Sequence, residues 1–218
     1  MKKIMFNDKY GLTEAVLKLR KEMTRRALRL PDGLTDDDLW NPVMGIDDKG
    51  LVYFTFDCSD GKRRDFYPQY QIGEVVAVAQ RYKDCWDIYQ RRWEAKNDPS
   101  DWHTPDAILG DQVDTVKGWK NKMFVRAYFM PHHIRIKNIK VERLQNISDE
   151  DCLKEGVYED AEEHGGLYTT PFYDFYGNQD DGFYEPREAF AALIDRISGK
   201  GTWERNPWVL AYEFEKVD

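Results

Sequence analysis

The sequence predicts an α+β fold built around one long, bent strand, and three stretches carry this prediction. In residues 130–156 a strand leads directly into a capped helix, and an apolar helical stripe follows Pro186. Apolar and polar residues then alternate from Trp208 to Phe214, which is typical of a strand. Strands come from the middle and the end of the chain, and no repeat or low-complexity linker divides it. We therefore expect a single domain over residues 1–218.

The central strand is expected to bend at Asn138. Ile134 and Ile136 share one face, but Ile139 and Val141 continue the apolar pattern one residue out of step. Because side chains alternate with a period of two along a strand, a slip of one residue indicates a bulge or bend. A sheet uses such a bend to curl towards a barrel.

The helix that follows this strand has sequence signals at both ends. Ser148 is a natural N-cap, and Asp151 stands three residues later. Gly156 lies where a C-terminal glycine belongs, and Ile147 and Cys152 occupy the positions of a hydrophobic staple. These signals predict a short helix between the serine and the glycine.

The N-terminal part of the chain is predicted to begin with a helix over residues 11–26. Thr13 can cap it, and Val16, Leu19 and Met23 lie on one side at helical spacing.

The segments after this helix are predicted from turn signals and apolar runs. Residues 34–48 contain Asn-Pro and Met-Gly pairs and are expected to form a loop. Leu51–Phe56 and Arg63–Tyr67 flank an Asp-Gly pair, which predicts a hairpin. Glu74–Gln80 and Lys122–Ala127 are expected to be strands.

Two stretches have a less regular pattern. Between Arg81 and Gly118 an amphipathic helix is expected, followed by a polar loop through Pro99 and Pro105. Residues 157–185 are acidic, aromatic and glycine-containing, so we expect a long irregular insertion there.

The composition indicates a folded cytoplasmic protein without a membrane segment. The chain contains 7 Trp, 13 Tyr and 11 Phe, which suits a β-containing domain. No apolar run approaches the ~20 residues that span a bilayer, and the N-terminus has no apolar signal region. Cys58, Cys85 and Cys152 are odd in number and far apart, which favours reduced thiols.

The net charge of −8 argues against a general nucleic-acid coating protein, but the charge is unevenly distributed. Residues 18–29 hold six basic side chains against one acid, and residues 117–143 hold eight against one. Residues 145–185 hold twelve acids against one lysine. Such asymmetry leaves a local positive surface for a phosphate-bearing ligand. Alternatively, the two signs cover adjacent faces and partly cancel.

Three separated pieces together resemble the ASCH domains of the PUA-like superfamily, and most of all its longer phage- and prophage-associated members. The first piece, VLKLRKEMTRR, matches the lysine-x-x-threonine signature of the family, with an arginine two residues beyond the threonine. The second is IGEVVAVAQ, a glycine-acid-apolar strand. The third is RIKNIKVERLQNISDEDCLKEG together with REAFAALIDRISGKGTWERNPWVLAYEFEKV. The pieces cover residues 16–26, 72–80, 135–156 and 187–217.

The resemblance implies a PUA-like, ASCH-type curled mixed β-barrel with flanking helices and a cleft suited to nucleic acid or a nucleobase. Insertions at about 30–70, 81–118 and 157–185 lie outside the resemblance. Many members carry glycine two residues before the signature lysine, where this chain has Leu19. The close backbone approach that such a glycine permits is therefore not expected here.

The resemblance also implies catalytic residues. A small ASCH enzyme, an acetylcytidine amidohydrolase, uses a lysine, a threonine and a glutamate, which fall on Lys21, Thr24 and Glu155 by motif. On this hypothesis Thr24 attacks an amide carbonyl on a modified base, Lys21 serves as base and Glu155 as acid. The alternative is that Lys21 lies on a solvated basic face, Thr24 ends a helix and Glu155 is a surface carboxylate.

Binding of a nucleic acid without catalysis would involve a wider set of residues. Basic side chains bind phosphates and aromatic side chains stack bases, although tryptophans beside strands often belong to the core. The expected nucleic-acid-binding residues are Arg25, Arg26, Arg135, Lys137, Trp119 and Trp208.

No metal site and no cofactor are expected. His132 and His133 begin a strand, where adjacent side chains point to opposite faces and do not chelate one metal. His103 and His164 are isolated, and the cysteines lack paired spacing.

The sequence leaves three functions open. The favoured one is binding of RNA or a modified nucleoside in the barrel cleft, which requires a basic, aromatic-lined groove. The second is a metal-independent amidohydrolase acting on acylated nucleobases, which requires Lys21, Thr24 and Glu155 within hydrogen-bond reach of one another. The third is a phage-derived accessory protein with a protein partner at residues 157–185, which requires an exposed apolar patch there.

Overall fold

The fold mixes helices and strands, as the α+β prediction requires. The computed structural model of the protein describes residues 1–96, 113–164, 168–178 and 182–218. The polar loop predicted through Pro99 and Pro105, with His103, lies outside this part of the chain.

The secondary structure is numbered along the described residues. The strands are β1 (Lys3–Ile4), β2 (Met23–Ala27), β3 (Leu39–Ile46), β4 (Val52–Cys58), β5 (Arg63–Phe66), β6 (Val75–Val78), β7 (His133–Arg143), β8 (Tyr158–His164), β9 (Tyr168–Asp174) and β10 (Trp208–Lys216). The helices are α1 (Leu12–Leu17), α2 (Tyr82–Lys96), α3 (Lys117–Lys120), α4 (Asp149–Lys154), α5 (Pro186–Ser198) and α6 (Thr202–Arg205). No helix in the described part of the chain is long and apolar enough to span a membrane.

The chain divides into two compact units. The first unit consists of Met1–Phe6, Val75–Arg135 and Lys216–Asp218. The second unit consists of Asn7–Glu74 and Ile136–Glu215. A single domain over the whole chain stays a prediction.

The first unit is built on a short mixed sheet. Strand β1 pairs parallel with β6, and β6 pairs antiparallel with the start of β7. A small core covers this sheet and includes Ala77, Ala79, Tyr82, Val125 and Met130. The predicted helix after Arg81 is confirmed as α2.

The strand predicted over Lys122–Ala127 is wrong. The segment instead forms tight turns at Lys122–Phe124 and Ala127–Phe129. The side chain of Asn121 accepts a hydrogen bond from the Met123 backbone N–H at 2.9 Å, which caps the first turn. Only Val125 of this segment is buried in the core, while Met123 and Phe124 are exposed on the turns.

The second unit contains the remaining strands in three groups. In the first group the strand order is β7-β10-β2, and β10 pairs antiparallel with β2. A smaller antiparallel sheet has the order β3-β4-β5 and confirms the predicted hairpin around Gly61. Phe56 of this small sheet packs edge-to-face on Trp208, with ring centroids 5.1 Å apart.

The large sheet is open. Its strand order in the described residues is β1-β6-β7-β10-β2, which ends at β1 and at β2, so these strands do not close into a barrel. The α+β class is thus confirmed, while the PUA-like assignment stays a prediction.

Strand β7 shows the predicted change of phase. Ile134 and Ile136 are buried, Lys137 and Asn138 are both exposed, and Ile139 is buried again. The Asn138 side chain accepts a hydrogen bond from the Ile139 backbone N–H at 2.9 Å. This local bond lies at the point where the strand changes face.

The helix predicted over residues 11–26 is correct only for its first half. Helix α1 ends at Leu17, because Leu19 adopts a left-handed φ of 59° and turns the chain. The Glu22 backbone N–H then donates to the Lys154 carbonyl at 2.9 Å, and Met23 begins β2. Helix α1 and strand β2 each bury their own apolar residues. Taken together, these positions happen to have the spacing of one continuous helix.

Two predicted irregular regions contain strands. Residues 34–48 include β3, in which a shift of register between Trp40 and Val43 accommodates the Asn-Pro pair. An edge strand tolerates this proline because no neighbour needs its missing N–H. Residues 157–185 include the hairpin β8-β9. Its Thr, Tyr and Phe residues favour strands, whereas the glycines and acids of the region led to the prediction of an irregular insertion.

The predicted signals of α4 are confirmed. The Ser148 hydroxyl accepts a hydrogen bond from the Asp151 backbone N–H at 3.2 Å. Gly156 has a φ of 105°, and the staple residues Ile147 and Cys152 are buried. The predicted helix after Pro186 is confirmed as α5.

Replacing Ser148→Ala should lower the free energy of unfolding by about 1 kcal/mol, because the first turn of α4 loses its side-chain acceptor. Ser148→Thr keeps an acceptor and serves as the matched control. Urea denaturation followed by circular dichroism measures both variants. Equal losses in the two variants would contradict a stabilising cap at this position.

Candidate functional site

Lys21 and Glu155 form a buried ion pair in the second unit. The Lys21 Nζ lies 2.6 Å from Glu155 Oε2 and 2.5 Å from the Glu155 carbonyl oxygen. Their side chains are only 2% and 5% exposed. Neither residue therefore lies on a solvated surface, because the turn at Leu19 directs the lysine towards the C-terminal end of α4.

Arg25 extends this pair into a network. Its NH1 lies 3.1 Å from Glu155 Oε1, and its NH2 lies 2.8 Å from Asp151 Oδ2. Its Nε and NH2 both donate to Glu142 Oε1, at 2.9 and 2.6 Å. Lys140 also binds Asp151 Oδ2 at 2.6 Å. We call the set the charge cluster, and its members are Lys21, Arg25, Lys140, Glu142, Asp151 and Glu155.

The charges of this cluster balance, and the surroundings shift the pKa of some members. Burial lowers the pKa of Lys21, although the neighbouring Glu155 carboxylate favours the protonated form. Burial alone raises the pKa of Asp151, but hydrogen bonds from Lys140 and Arg25 outweigh this effect and lower it. The cluster is a set of mutually satisfied charges in which Arg25 is held on three sides by carboxylates.

Thr24 does not join Lys21 and Glu155. Side chains alternate along β2, so Thr24 and Arg25 point to opposite faces of the sheet. Thr24 pairs directly with Tyr212 of β10 and therefore shares the face of Tyr212. The structure thus brings Lys21 and Glu155 into contact, while Thr24 lies on the face of β2 opposite to Arg25, the other cation that binds Glu155.

Replacing Glu155→Gln should lower the free energy of unfolding by about 3–5 kcal/mol, because it removes the carboxylate that binds Lys21 and leaves the buried cluster with one excess positive charge. Glu150→Gln is the matched control, since Glu150 is 77% exposed on the same short helix and pairs with Lys154. The control should leave the stability nearly unchanged. Chemical denaturation measures the free energy of unfolding of both variants. A Glu155→Gln protein as stable as the control would show that the charge cluster does not stabilise the fold.

A groove of about 750 Å³ opens on the opposite face of β2, within the second unit. Three arginines and several aromatic rings line it, against one acid, Asp65. The lining residues are Arg26, Ala27, Leu28, Arg29, Pro31, Arg64, Asp65, Phe66, Tyr67, Gln69, Leu210 and Tyr212.

The groove forms between two edge strands, β2 and β5, which both contribute residues to its lining. Strand β2 is last in the order of the large sheet, and β5 is last in the order of the small sheet. Arg26 lies two residues after Thr24 and therefore points to the same face, opposite to that of Arg25. Arg64 comes from β5, and Arg29 follows the end of β2. Edge strands also offer backbone groups that their own sheet does not use.

Several walls of the groove are held by hydrogen bonds. Arg64 binds Asp60 through two nitrogens at 2.9 and 2.6 Å, which leaves other N–H groups of its guanidinium for further contacts. These bonds lower the pKa of Asp60 to about 2. The Tyr212 hydroxyl accepts a hydrogen bond from the Gln69 backbone N–H at 3.1 Å, and burial raises the pKa of this tyrosine to about 12.

Of the predicted basic residues, only Arg26 lines the groove. Arg25 lies in the charge cluster. Arg135 and Lys137 are exposed on β7, and the Lys137 Nζ lies 3.8 Å from Glu213. The groove residue Arg29 ends the basic run at residues 18–29, which is the signal that sequence reasoning could have used.

Both predicted tryptophans have packing roles instead. Trp119 packs edge-to-face on Trp86 in the first unit, with ring centroids 5.6 Å apart. The Trp208 indole N–H donates to the carbonyls of Asp36 and Leu39, each at 3.1 Å. The Arg143 guanidinium lies 4.8 Å from the centre of the Trp208 ring. Neither indole lines the groove.

The histidines are placed differently from the prediction. His132 and His133 do not diverge, because both approach the Asp218 carboxylate, at 3.3 and 2.7 Å. In the described part of the chain no group of three or more His, Cys, Asp or Glu residues is arranged to hold a metal. The side chain of His164 lies outside the described residues.

The three cysteines are free, as their spacing predicts, and all three are buried. Burial raises the pKa of the Cys85 and Cys152 thiols to about 12. A thiol that stays protonated at neutral pH is a poor nucleophile and a poor metal ligand. These two cysteines therefore contribute to packing.

Comparisons with protein-family models, with curated proteins and with solved structures found no match to this chain. The resemblance to ASCH domains therefore stays a prediction that depends on the motifs of the chain. The groove and the charge cluster are the observations from which a function has to be argued.

Proposed function

We propose that the protein binds RNA or a modified nucleoside in the groove between β2 and β5. The observation that carries this proposal is the combination of Arg26, Arg29 and Arg64 with the exposed ring of Tyr67 in one groove. This is the basic, aromatic-lined surface that the favoured hypothesis requires.

The charge of the groove supports an anionic ligand. The whole chain carries a net charge of −8, yet the lining holds three arginines and a single acid. Arginine presents several N–H donors in a planar array that matches phosphate oxygens. Arg29 is exposed, so it can reach a ligand without giving up a buried partner.

The aromatic lining supports a ligand with a planar ring. Tyr67 is 52% exposed although it lies beside the buried Phe66. An exposed ring at the edge of a basic groove offers a face on which a base can stack, and such stacking stabilises a complex by about 1–3 kcal/mol per base. Phosphates and bases together make a nucleotide the ligand that fits both features.

We also infer that the domain is a PUA-like, ASCH-type variant. Support comes from the order of the three matching pieces, from the change of phase in β7 and from the capped helix α4. The open strand order and the strands found within the insertions are departures from the curled barrel of that prediction. The ligand groove that we propose lies on the Thr24 face of β2, not at the charge cluster.

The amidohydrolase is the weaker candidate. It is supported by the contact of Lys21 with Glu155 and by the lowered pKa of this lysine. However, Thr24 points to the other face of β2, and Glu155 is already bound by two cations. We expect no hydrolysis of acylated cytidine when the reaction is followed by chromatography. Turnover that is lost in Thr24→Val would reverse this ranking.

The protein-partner hypothesis for residues 157–185 has less support. In the described part of that region the exposed large aromatic side chains are Tyr176 and Tyr184, and Phe175 is fully buried. Two tyrosines do not make the extended apolar patch that this hypothesis requires.

Replacing Arg29→Ala should weaken binding of short single-stranded RNA and reduce the salt dependence of binding by about one charge, because one phosphate contact is lost. Fluorescence anisotropy with end-labelled RNA at several salt concentrations measures both quantities. Arg20→Ala is the matched control, since Arg20 belongs to the same basic run and is exposed but does not line the groove.

The control variant should bind as the unmodified protein does. Equal losses in Arg29→Ala and Arg20→Ala would indicate non-specific attraction to the basic run, not binding in the groove. Absence of binding to every RNA and nucleoside at low salt would overturn the proposed function.

A further inference from the structure

We infer that the ligand of the groove is a single-stranded polynucleotide, not a free nucleoside, and that one of its bases stacks on a platform formed by Tyr53 and Tyr67 beside the groove. This inference rests on the proposed function and extends it by naming the class of ligand. It uses residues of the small sheet that the resemblance to ASCH domains does not cover.

The platform is a row of residues that crosses the small sheet. Gly45 of β3 pairs directly with Tyr53 of β4, and Tyr67 follows the last residue of β5. The rings of Tyr53 and Tyr67 lie 5.6 Å apart and are inclined by 36°. The two rings are therefore in contact and inclined to each other.

Gly45 is required for this arrangement. A Cβ atom at this position would lie 2.5 Å from the Cζ atom of Tyr53, closer than a carbon contact allows. The ring of Tyr53 thus lies directly over the backbone of β3. An aromatic side chain that covers a glycine on a neighbouring strand also protects the exposed backbone of an edge strand.

The platform lies on the outer face of the small sheet. Its neighbours along β4 and β5, Phe54, Phe56 and Phe66, are buried, and side chains alternate between the two faces of a strand. Tyr53 is half-buried and Tyr67 is 52% exposed. The two tyrosines are therefore not part of the core, and the face of Tyr67 is open to a ligand.

The Tyr67 ring stays neutral. Partial burial raises the pKa of Tyr67, and the carboxylates of Asp47 and Asp65 raise it further. A neutral ring carries no charge that would repel the phosphates of a ligand.

The charges beside the platform favour a chain over a single nucleoside. A nucleoside has no phosphate to offer the arginines of the groove. Arg26, Arg29 and Arg64 come from β2, from the segment after it and from β5, so they line the groove at different points of its wall. Tyr67 belongs both to the groove lining and to the platform. Because Tyr67 belongs to both, a chain that follows the groove brings a base to the platform at Tyr67.

The test compares ligands of increasing length on the intact protein. The probes are cytidine, cytidine monophosphate, single-stranded RNA and DNA of about three and about nine nucleotides, and a duplex of the longer sequence. Calorimetry measures each affinity at one low salt concentration. We expect affinity to increase from the nucleoside to the longer strands and the duplex to bind more weakly, because its bases are not free to stack. The RNA and DNA arms identify which polynucleotide binds more tightly.

Three variants test the platform itself. Tyr67→Ala should weaken binding of the longer strands about tenfold or more, and it should affect cytidine monophosphate much less. Tyr67→Phe keeps the ring and should retain most of the affinity. Tyr184→Ala is the control, because Tyr184 is 81% exposed in the same unit but lies outside the groove and the platform. Circular dichroism verifies that each variant is folded.

The outcomes separate this inference from the function on which it rests. Cytidine binding as tightly as the longer strands, equal effects of Tyr67→Ala on short and long ligands, or tight binding of the duplex would each overturn the inference and leave the proposed function standing. If no nucleoside or strand binds the folded protein, the proposed function itself fails.

Discussion

The buried carboxylate of Glu155 is the constraint on which the second unit depends. It binds Lys21 through one oxygen and Arg25 through the other, and so it joins the start of β2 to the end of α4. Charges in a protein interior are tolerated only when they are paired and hydrogen-bonded, so this contact allows little variation in register. Once Arg25 faces the cluster, Thr24 and Arg26 have to face the other side of the sheet.

Because Arg25 and its neighbours face opposite sides of β2, the charge cluster and the groove lie on the two faces of one strand. On one side the charges neutralise each other, and Lys21, Arg25 and Glu155 are buried. On the other side Arg26 joins Arg29 and Arg64 in an accessible groove beside aromatic rings. The same basic run of sequence thus serves stability through Arg25 and ligand binding through its neighbours. An acidic protein can present a basic surface because its excess of acids lies elsewhere in the chain.

The predictions that held are those that depend on neighbours in sequence. The cap at Ser148 and the change of phase at Asn138 involve residues within a few positions of each other. The helix expected over residues 11–26 failed because a left-handed turn at Leu19 is compatible with helical apolar spacing on both sides of it. Likewise, the Asn-Pro pair in residues 34–48 indicates a turn, whereas pairing with β4 makes the segment an edge strand with a bulge.

The sequence by itself determined the α+β class, the hairpin around Gly61 and the helices α2, α4 and α5. These features depend on the propensities and the burial pattern of residues that are close together in sequence. It also singled out Lys21, Glu155 and Arg26. Only the tertiary structure decided that Lys21 and Glu155 pair, that Thr24 lies on the face of β2 opposite to Arg25, and that Arg29, Arg64 and Tyr67 meet in one groove. These residues are far apart in sequence, and their contacts arise from strand order and register, which no local pattern specifies.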